Sequence, residues 1–117
     1  VAHCSFAHDP KWFTTAPGKA IEKILKMAKM TKNDIDIWEI NEAFSAVAMA
    51  AIEDFNLDHS MVNIYGGAVA LGHPIGASGA RILTTLLTAL DKKNKNIGLA
   101  TLCIGGGEAS AMIIEKL

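Results

Sequence analysis

Two rhythms of apolar spacing alternate along this chain, a short one suited to strands and a longer one suited to helices. Residues 1–7 are mildly apolar and read as a strand closed by Asp9-Pro10. Pro17 and Gly18 then open a helix, at a position where proline's missing N–H is no loss. Its stripe is Ile21, Ile24, Leu25 and Ala28, one helical face, with Glu22, Lys23 and Lys26 towards solvent. Asn33-Asp34 marks a turn, residues 35–40 read as a second strand, and Asn41 stands where a helix cap belongs. Residues 43–55 are expected to be helical. No polar residue falls between Ala46 and Ile52, a pattern that predicts burial on every side. Residues 61–65 read as a third strand and 78–90 as a third helix. Residues 97–103 and 109–115 read as strands joined by Gly105-Gly106-Gly107 in an antiparallel hairpin.

The resulting order is β-α-β-α-β-α-β-β. Alternating strands and helices predict an α/β fold with a mixed, mainly parallel sheet of five strands. The 117 residues suit a single domain, 1–117, able to bury a core without disulfides or metals. Half of the residues are hydrophobic and a fifth charged, a globular rather than a disordered composition.

Charge narrows the partners. Eleven basic and twelve acidic residues leave a formal net charge of −1, with no basic block. Nucleic acid and anionic membrane are therefore poor partners. The longest apolar stretches, residues 46–52 and 82–90, fall far short of the ~20 residues that a membrane-spanning helix requires. Cys4 and Cys103 form no C-x-x-C pair, which points to a reducing compartment, either the cytoplasm or the mitochondrial matrix of a eukaryote. The opening Val-Ala-His-Cys carries no initiator methionine and no signal-peptide pattern, as expected of a fragment.

In an open α/β sheet, ligands bind beyond the carboxyl ends of the parallel strands. Three predicted strands end in polar or glycine-rich segments: Asn41-Glu42-Ala43-Phe44, Gly66-Gly67 through Gly72-His73-Pro74-Ile75-Gly76-Ala77-Ser78-Gly79, and Cys103-Ile104-Gly105-Gly106-Gly107. Topology alone thus draws an amide, an imidazole and a thiol to one edge. Five glycines within residues 66–79 suit a backbone that approaches a ligand closely or adopts positive φ. His73, placed before a proline, is steered to extended geometry. A tight loop with a structural histidine would read the same way. Cys103 by itself reads equally as an inert core thiol, but the glycines after it free backbone N–H groups for an oxyanion hole. Glu42 reads as a partner for a histidine or a helix N-terminus, and Phe44 as core or pocket wall. His3, Cys4 and His8 match no metal-site spacing, so no metal is expected. Dinucleotide and P-loop signatures are absent.

These three segments resemble, in order and spacing, the three signatures of the C-terminal domain of thiolases, and the similarity runs from Val1 to Leu117. The resemblance implies half of a two-domain enzyme for reversible Claisen condensation of two acetyl-CoA to acetoacetyl-CoA and CoA, or thiolysis of 3-ketoacyl-CoA. The family's nucleophilic cysteine belongs to the other half, and Cys4 lies outside any motif. Residue by residue, His73 is similar to the histidine that activates the nucleophile and binds a thioester oxygen. Cys103 resembles the acid–base cysteine at the α-carbon. Asn41 resembles the residue fixing an oxyanion-hole water, and the Gly105 N–H resembles a donor in the second hole. Ala43 and Phe44 match positions lining the thioester end of the pocket. Coenzyme A thioesters are then substrates and no other cofactor is implied. The implied partners are the N-terminal thiolase half and a homodimer or homotetramer of the complete enzyme. Two other readings stay open: a non-catalytic CoA- or anion-binding module using the helix near Ser78, and a Cys103–His73–Asn41 hydrolase.

Overall fold

The computed structural model describes all 117 residues. Strand β1 (Ala2–Ala7) leads through a 3-10 turn at Pro10–Thr15 into helix α1 (Ala16–Ala28) and strand β2 (Ile37–Ile40). Helices α2 (Ser45–Phe55), α3 (Ala68–Leu71) and α4 (Ser78–Lys93) follow, and β3 (Ile97–Gly105) and β4 (Glu108–Glu115) close the chain. No helix is long and apolar enough to cross a membrane.

One sheet, ordered β1-β4-β3-β2, separates two cores. On one face Ile21, Ile24 and Leu25 of α1 pack with Cys4, Ala109, Ala111 and Ile113 of the sheet. On the other, Ile82, Leu86, Ala89 and Leu90 of α4 pack on Ile37 and Ala100. All four residues of β2 are buried, because helices cover both of its faces. Ile37 and Glu39 share the α4 face, while Trp38 and Ile40 join the α1 core.

The sheet departs from expectation in strand number and direction. It has four strands rather than five, and only β2 and β3 run parallel. The β1–β4 and β3–β4 pairs are antiparallel, so the sheet is mixed but not mainly parallel. Residues 61–65 contribute one parallel bridge, Val62 to Trp38. The Asn63 N–H then donates to the Trp38 carbonyl at 2.8 Å, and Asn63 turns left-handed at φ 48°. Its side chain takes over the ladder: Oδ1 accepts from the Ile40 N–H and Nδ2 donates to the Ile40 carbonyl, both at 2.8 Å. A carboxamide has the hydrogen-bonding groups of a peptide, and asparagine tolerates the left-handed region. The strand is therefore finished by a side chain, and the backbone is released into the glycine-rich loop.

Two helix boundaries also differ. Asn41 caps no helix; its N–H continues the β2–β3 ladder to the Thr101 carbonyl at 2.9 Å, and extended Phe44 is the residue before α2. Helix α2 buries Val47, Ala48 and Ala51 only, leaving Met49 65 % exposed, so within this chain it is covered on one face.

Close approach of α4 to the sheet depends on Gly98. A Cβ there would meet the Leu86 side chain at 2.6–3.0 Å. Gly98→Ala is expected to lower stability by roughly 1–3 kcal/mol, the usual range for overpacking. In urea unfolding, adding Leu86→Ala should produce a sum well short of additive, because the second change removes the obstruction. Full additivity would show that the helix shifts freely instead.

Candidate active site

The end of β3, the segment after β2 and the loop before α4 meet in one cleft of about 390 Å³. Its walls are Phe13, Ala43, Phe44, His73, Ile75, Leu102, Cys103, Ile104 and Gly105. Five of the six residues singled out in the sequence thus line a single space. The sixth, Asn41, lies fully buried behind it at the end of β2. A cleft of comparable size between α2 and α3 holds no thiol, and its Glu42 carboxylate is already bonded within the protein.

Cys103 reaches the cleft at a register shift, where β3 bulges between Cys103 and Gly105. Gly105, Gly106 and Gly107 follow with φ of 92°, 63° and 83°, a run of left-handed residues that glycine alone adopts without strain. Gly107 is also pressed against the His8 carbonyl, at 2.3 Å from where a Cβ would lie. Burial pushes the Cys103 thiol above its ordinary pKa, partly offset by a backbone hydrogen bond. At neutral pH it therefore rests protonated. No hydrogen bond joins His73 to Cys103; the His73 Nδ1 bonds Ser78 instead.

Glu42 braces the loop that brings His73. Its Oε1 accepts from Asn63 Nδ2 at 3.0 Å, and its Oε2 accepts from the Val69 N–H at the start of α3, at 3.1 Å. Of its two expected roles, it takes the helix N-terminus and not the histidine. The carboxylate lies where a Cβ on Gly67 would be, at 2.3–2.5 Å, so that position admits only glycine without movement.

Asn41 is held from α4. Arg81 Nη2 donates to Asn41 Oδ1 at 3.2 Å, and Arg81 Nη1 donates to Glu39 Oε2 at 3.4 Å. Asn41 Nδ2 and Glu39 Oε1 are buried without a protein partner. His73 Nδ1 pairs with Ser78 Oγ and not with Asn41, so the chain of bonds required by a Cys103–His73–Asn41 hydrolase does not form. His3 and Cys4 point to opposite faces of β1, and Cys4 Sγ bonds the Ala20 carbonyl at 3.5 Å in the α1 core.

Phe13, Ile75, Leu102 and Ile104 were not legible as site residues. Phe13 packs edge-on to Phe44, with ring centroids 6.0 Å apart, and its irregular turn has no periodic pattern to mark it. Glu39 and Arg81 also escaped notice, and Ser78 was read only as the start of a helix, since none shows its role until its partner is known.

Fold and cleft together define an α/β domain with a thiol, an imidazole and a glycine turn converging at the ends of β3 and the loop before α4. Residues 1–116 match the family described as thiolase, C-terminal domain, and the chain belongs to it. The cytosolic acetyl-CoA acetyltransferase of Gibberella zeae is 51 % identical over 109 residues, 93 % of this chain and 28 % of the relative. The mitochondrial acetyl-CoA acetyltransferase of Rattus norvegicus is 53 % identical over 116 residues, 99 % of this chain and 27 % of the relative. The crystal structure of the Acat5 thiolase from Ascaris suum in complex with coenzyme A superposes with a TM-score of 0.94 at 47 % identity, covering 100 % of this chain and 30 % of that one. The chain thus spans under a third of the length of these relatives.

Glu39 gives the domain a measurable pH dependence. Burial is the largest influence on its carboxyl and raises it from 4.5 to about 7, with Arg81 opposing and Glu42 reinforcing. A raised folded pKa favours the neutral form. That contribution is fully present below pH 4.5 and is lost as pH rises through about 7. The loss should amount to roughly 3 kcal/mol. Urea midpoints between pH 4.5 and 8 should therefore fall more steeply in the native chain than in Glu39→Gln. Parallel slopes would place the titration elsewhere.

Proposed function

We propose that this chain supplies one part of a thiolase active site, acting on acetyl-CoA and acetoacetyl-CoA. The reaction is a reversible Claisen condensation: two acetyl-CoA give acetoacetyl-CoA and free CoA. In the other direction CoA cleaves a 3-ketoacyl-CoA. The observation that carries this reading is the single cleft shared by His73, Cys103, Gly105, Ala43 and Phe44. The names of the relatives, at about half identity over nearly the whole chain, favour the acetyl-CoA members.

In this reading His73 takes the proton of a nucleophilic cysteine supplied by the other half, and then donates from Nε2 to the thioester oxygen. The acylated cysteine meets a second acetyl-CoA in the same cleft. Cys103, left as a thiolate after giving its proton to the departing CoA of the first substrate, removes an α-proton from it, and the resulting carbanion attacks the acyl carbonyl. The C–C bond forms, and the nucleophile leaves as a thiolate. In cleavage the proton on Cys103 returns to the α-carbon, a task suited to a thiol that rests protonated.

Negative charge develops on each thioester oxygen, and preorganised donors stabilise it. The Gly105 N–H serves one oxygen. Asn41 serves the other through a water: its Oδ1 is taken by Arg81, which leaves Nδ2 as the spare donor. Ala43 and Phe44 bound the thioester end of the substrate. No cofactor beyond the CoA thioesters enters this scheme.

The proposed partners are the N-terminal thiolase half and further copies of the complete enzyme as a dimer or tetramer. The cytoplasm and the mitochondrial matrix both suit it, matching the cytosolic and mitochondrial relatives.

Since Cys4 is buried on the opposite face of the sheet from α4, residues 1–117 alone should turn over neither acetyl-CoA nor acetoacetyl-CoA. Robust turnover by the purified chain would overturn the shared-site reading.

Joined to the N-terminal portion of the rat relative, the chain should condense acetyl-CoA. Cys103→Ser in that chimera should slow condensation by ~10²–10⁴-fold, the usual worth of general acid–base assistance. Acylation by acetyl-CoA should persist, since it moves no α-proton. Exchange of the substrate's α-protons with deuterated water should stop. Normal exchange in Cys103→Ser would assign the base elsewhere. A stable acyl group on Cys103 itself would favour a hydrolase.

A further inference from the structure

His73 is fixed at one nitrogen only. Its Nδ1 lies 2.6 Å from Ser78 Oγ, while Nε2 has no protein partner. Ser78 is fully buried at the first residue of α4. Its hydroxyl is oriented in turn by the helix start, with Oγ donating to the Pro74 carbonyl at 3.1 Å. The same carbonyl accepts the Ala77 and Ser78 N–H groups at 2.7 and 2.9 Å. Pro74, Ser78 and the imidazole therefore form one closed unit around the first turn of the helix.

The direction of the His73–Ser78 bond decides what the imidazole can do. A hydroxyl that has given its hydrogen to Pro74 has only lone pairs left for Nδ1, so Nδ1 must carry the hydrogen. Neutral imidazole holds one hydrogen, and Nε2 is then the bare, accepting nitrogen. Once Nε2 takes a proton, the ring becomes a cation and the Nδ1–H···Oγ bond survives unchanged. The reversed bond, hydroxyl to Nδ1, would place the hydrogen on Nε2 and remove the only base from that side of the ring. It would also have to break whenever the ring became charged.

We propose that Ser78 is the positioning residue for His73: its hydroxyl accepts the Nδ1–H and holds the imidazole in the tautomer whose Nε2 is free to take a proton. Ser78 touches no substrate in this arrangement and acts only through the ring. The role of the tautomer in catalysis rests on the thiolase reading above, but the tautomer itself can be measured without turnover.

The test uses the 117-residue chain labelled with ¹⁵N, the His73 signals being assigned by their loss in His73→Asn. Long-range ¹H–¹⁵N spectra above the imidazole pKa report directly which ring nitrogen carries hydrogen. The expected result is a protonated Nδ1 and a bare Nε2 in the native chain. Ser78→Ala should shift the population towards the Nε2–H form that free histidine side chains favour, and Ser78→Thr, which keeps a hydroxyl, should restore the native pattern. An Nε2–H signal in the native chain overturns the inference outright, whether or not either variant folds. An unchanged tautomer in folded Ser78→Ala overturns it as well.

In the chimera with the rat N-terminal portion, Ser78→Ala should lower kcat by ~10–100-fold with a much smaller change in KM, by analogy with the loss when a metal-bound histidine is deprived of its orienting partner. Ser78→Thr should recover most of that loss. A held tautomer in a chimera that shows no thiolase chemistry would leave the Ser78 assignment standing and remove the functional reading. An active chimera with the opposite tautomer would do the reverse.

Discussion

The arrangement of the cleft depends on a buried charge contact between a strand and a helix. Glu39 on β2 is fully buried, and Arg81 in the first turn of α4 reaches it while also holding Asn41 at the strand's end. Burial favours the neutral carboxyl, and Arg81 is the group that opposes this, so the two elements are tied by a contact that tolerates either protonation state. The contact therefore sets where α4 begins relative to β2. His73 hangs on the start of α4 through Ser78, so the same contact sets the imidazole's place relative to Asn41. The carboxyl's raised pKa reflects the desolvation that the arrangement tolerates.

A second set of contacts delivers the loop. Asn63 substitutes its carboxamide for a strand's next peptide and then bonds Glu42, which bonds the start of α3. Asn63 and Glu42 are half-buried, and each bond joins a side chain to backbone or to another side chain in the chain of contacts. Gly67 gives the carboxylate its room. Together these bonds bring the loop back over the end of β2, where an ordinary fifth strand would have carried the backbone straight past it.

The cleft is open and its rim is apolar. Phe44, Ile75 and Ile104 are all more than half exposed around His73 and Cys103. Exposed aromatic and aliphatic side chains gathered at one site mark a surface that meets a ligand or another protein surface. The thiol is nonetheless buried beneath that rim, so it is shielded from water while the cleft above it stays accessible. The thiol is kept protonated, and the imidazole that shares its cleft bonds Ser78 and not the sulfur.

Much of this was determined by the sequence alone. The Ile21, Ile24, Leu25 stripe placed α1, and Gly105-Gly106-Gly107 placed the closing hairpin, because helix faces and tight turns are local patterns. The segments holding Asn41, His73 and Cys103 were visible as polar or glycine-rich endings of apolar runs, and strand-end topology was enough to bring five of the six site residues to one cleft. Only the tertiary structure decided which polar group each of them meets. Glu39 finds Arg81 forty-two positions away, and Asn63 finds Ile40 across twenty-three. The helix cap expected at Asn41 gave way to a distant guanidinium, and the fifth strand expected at residues 61–65 gave way to one side-chain amide. Apolar periodicity records which side of an element is buried, whereas a buried polar atom is satisfied by whatever partner the folded chain happens to bring within hydrogen-bonding distance, and that choice has no signature in local spacing.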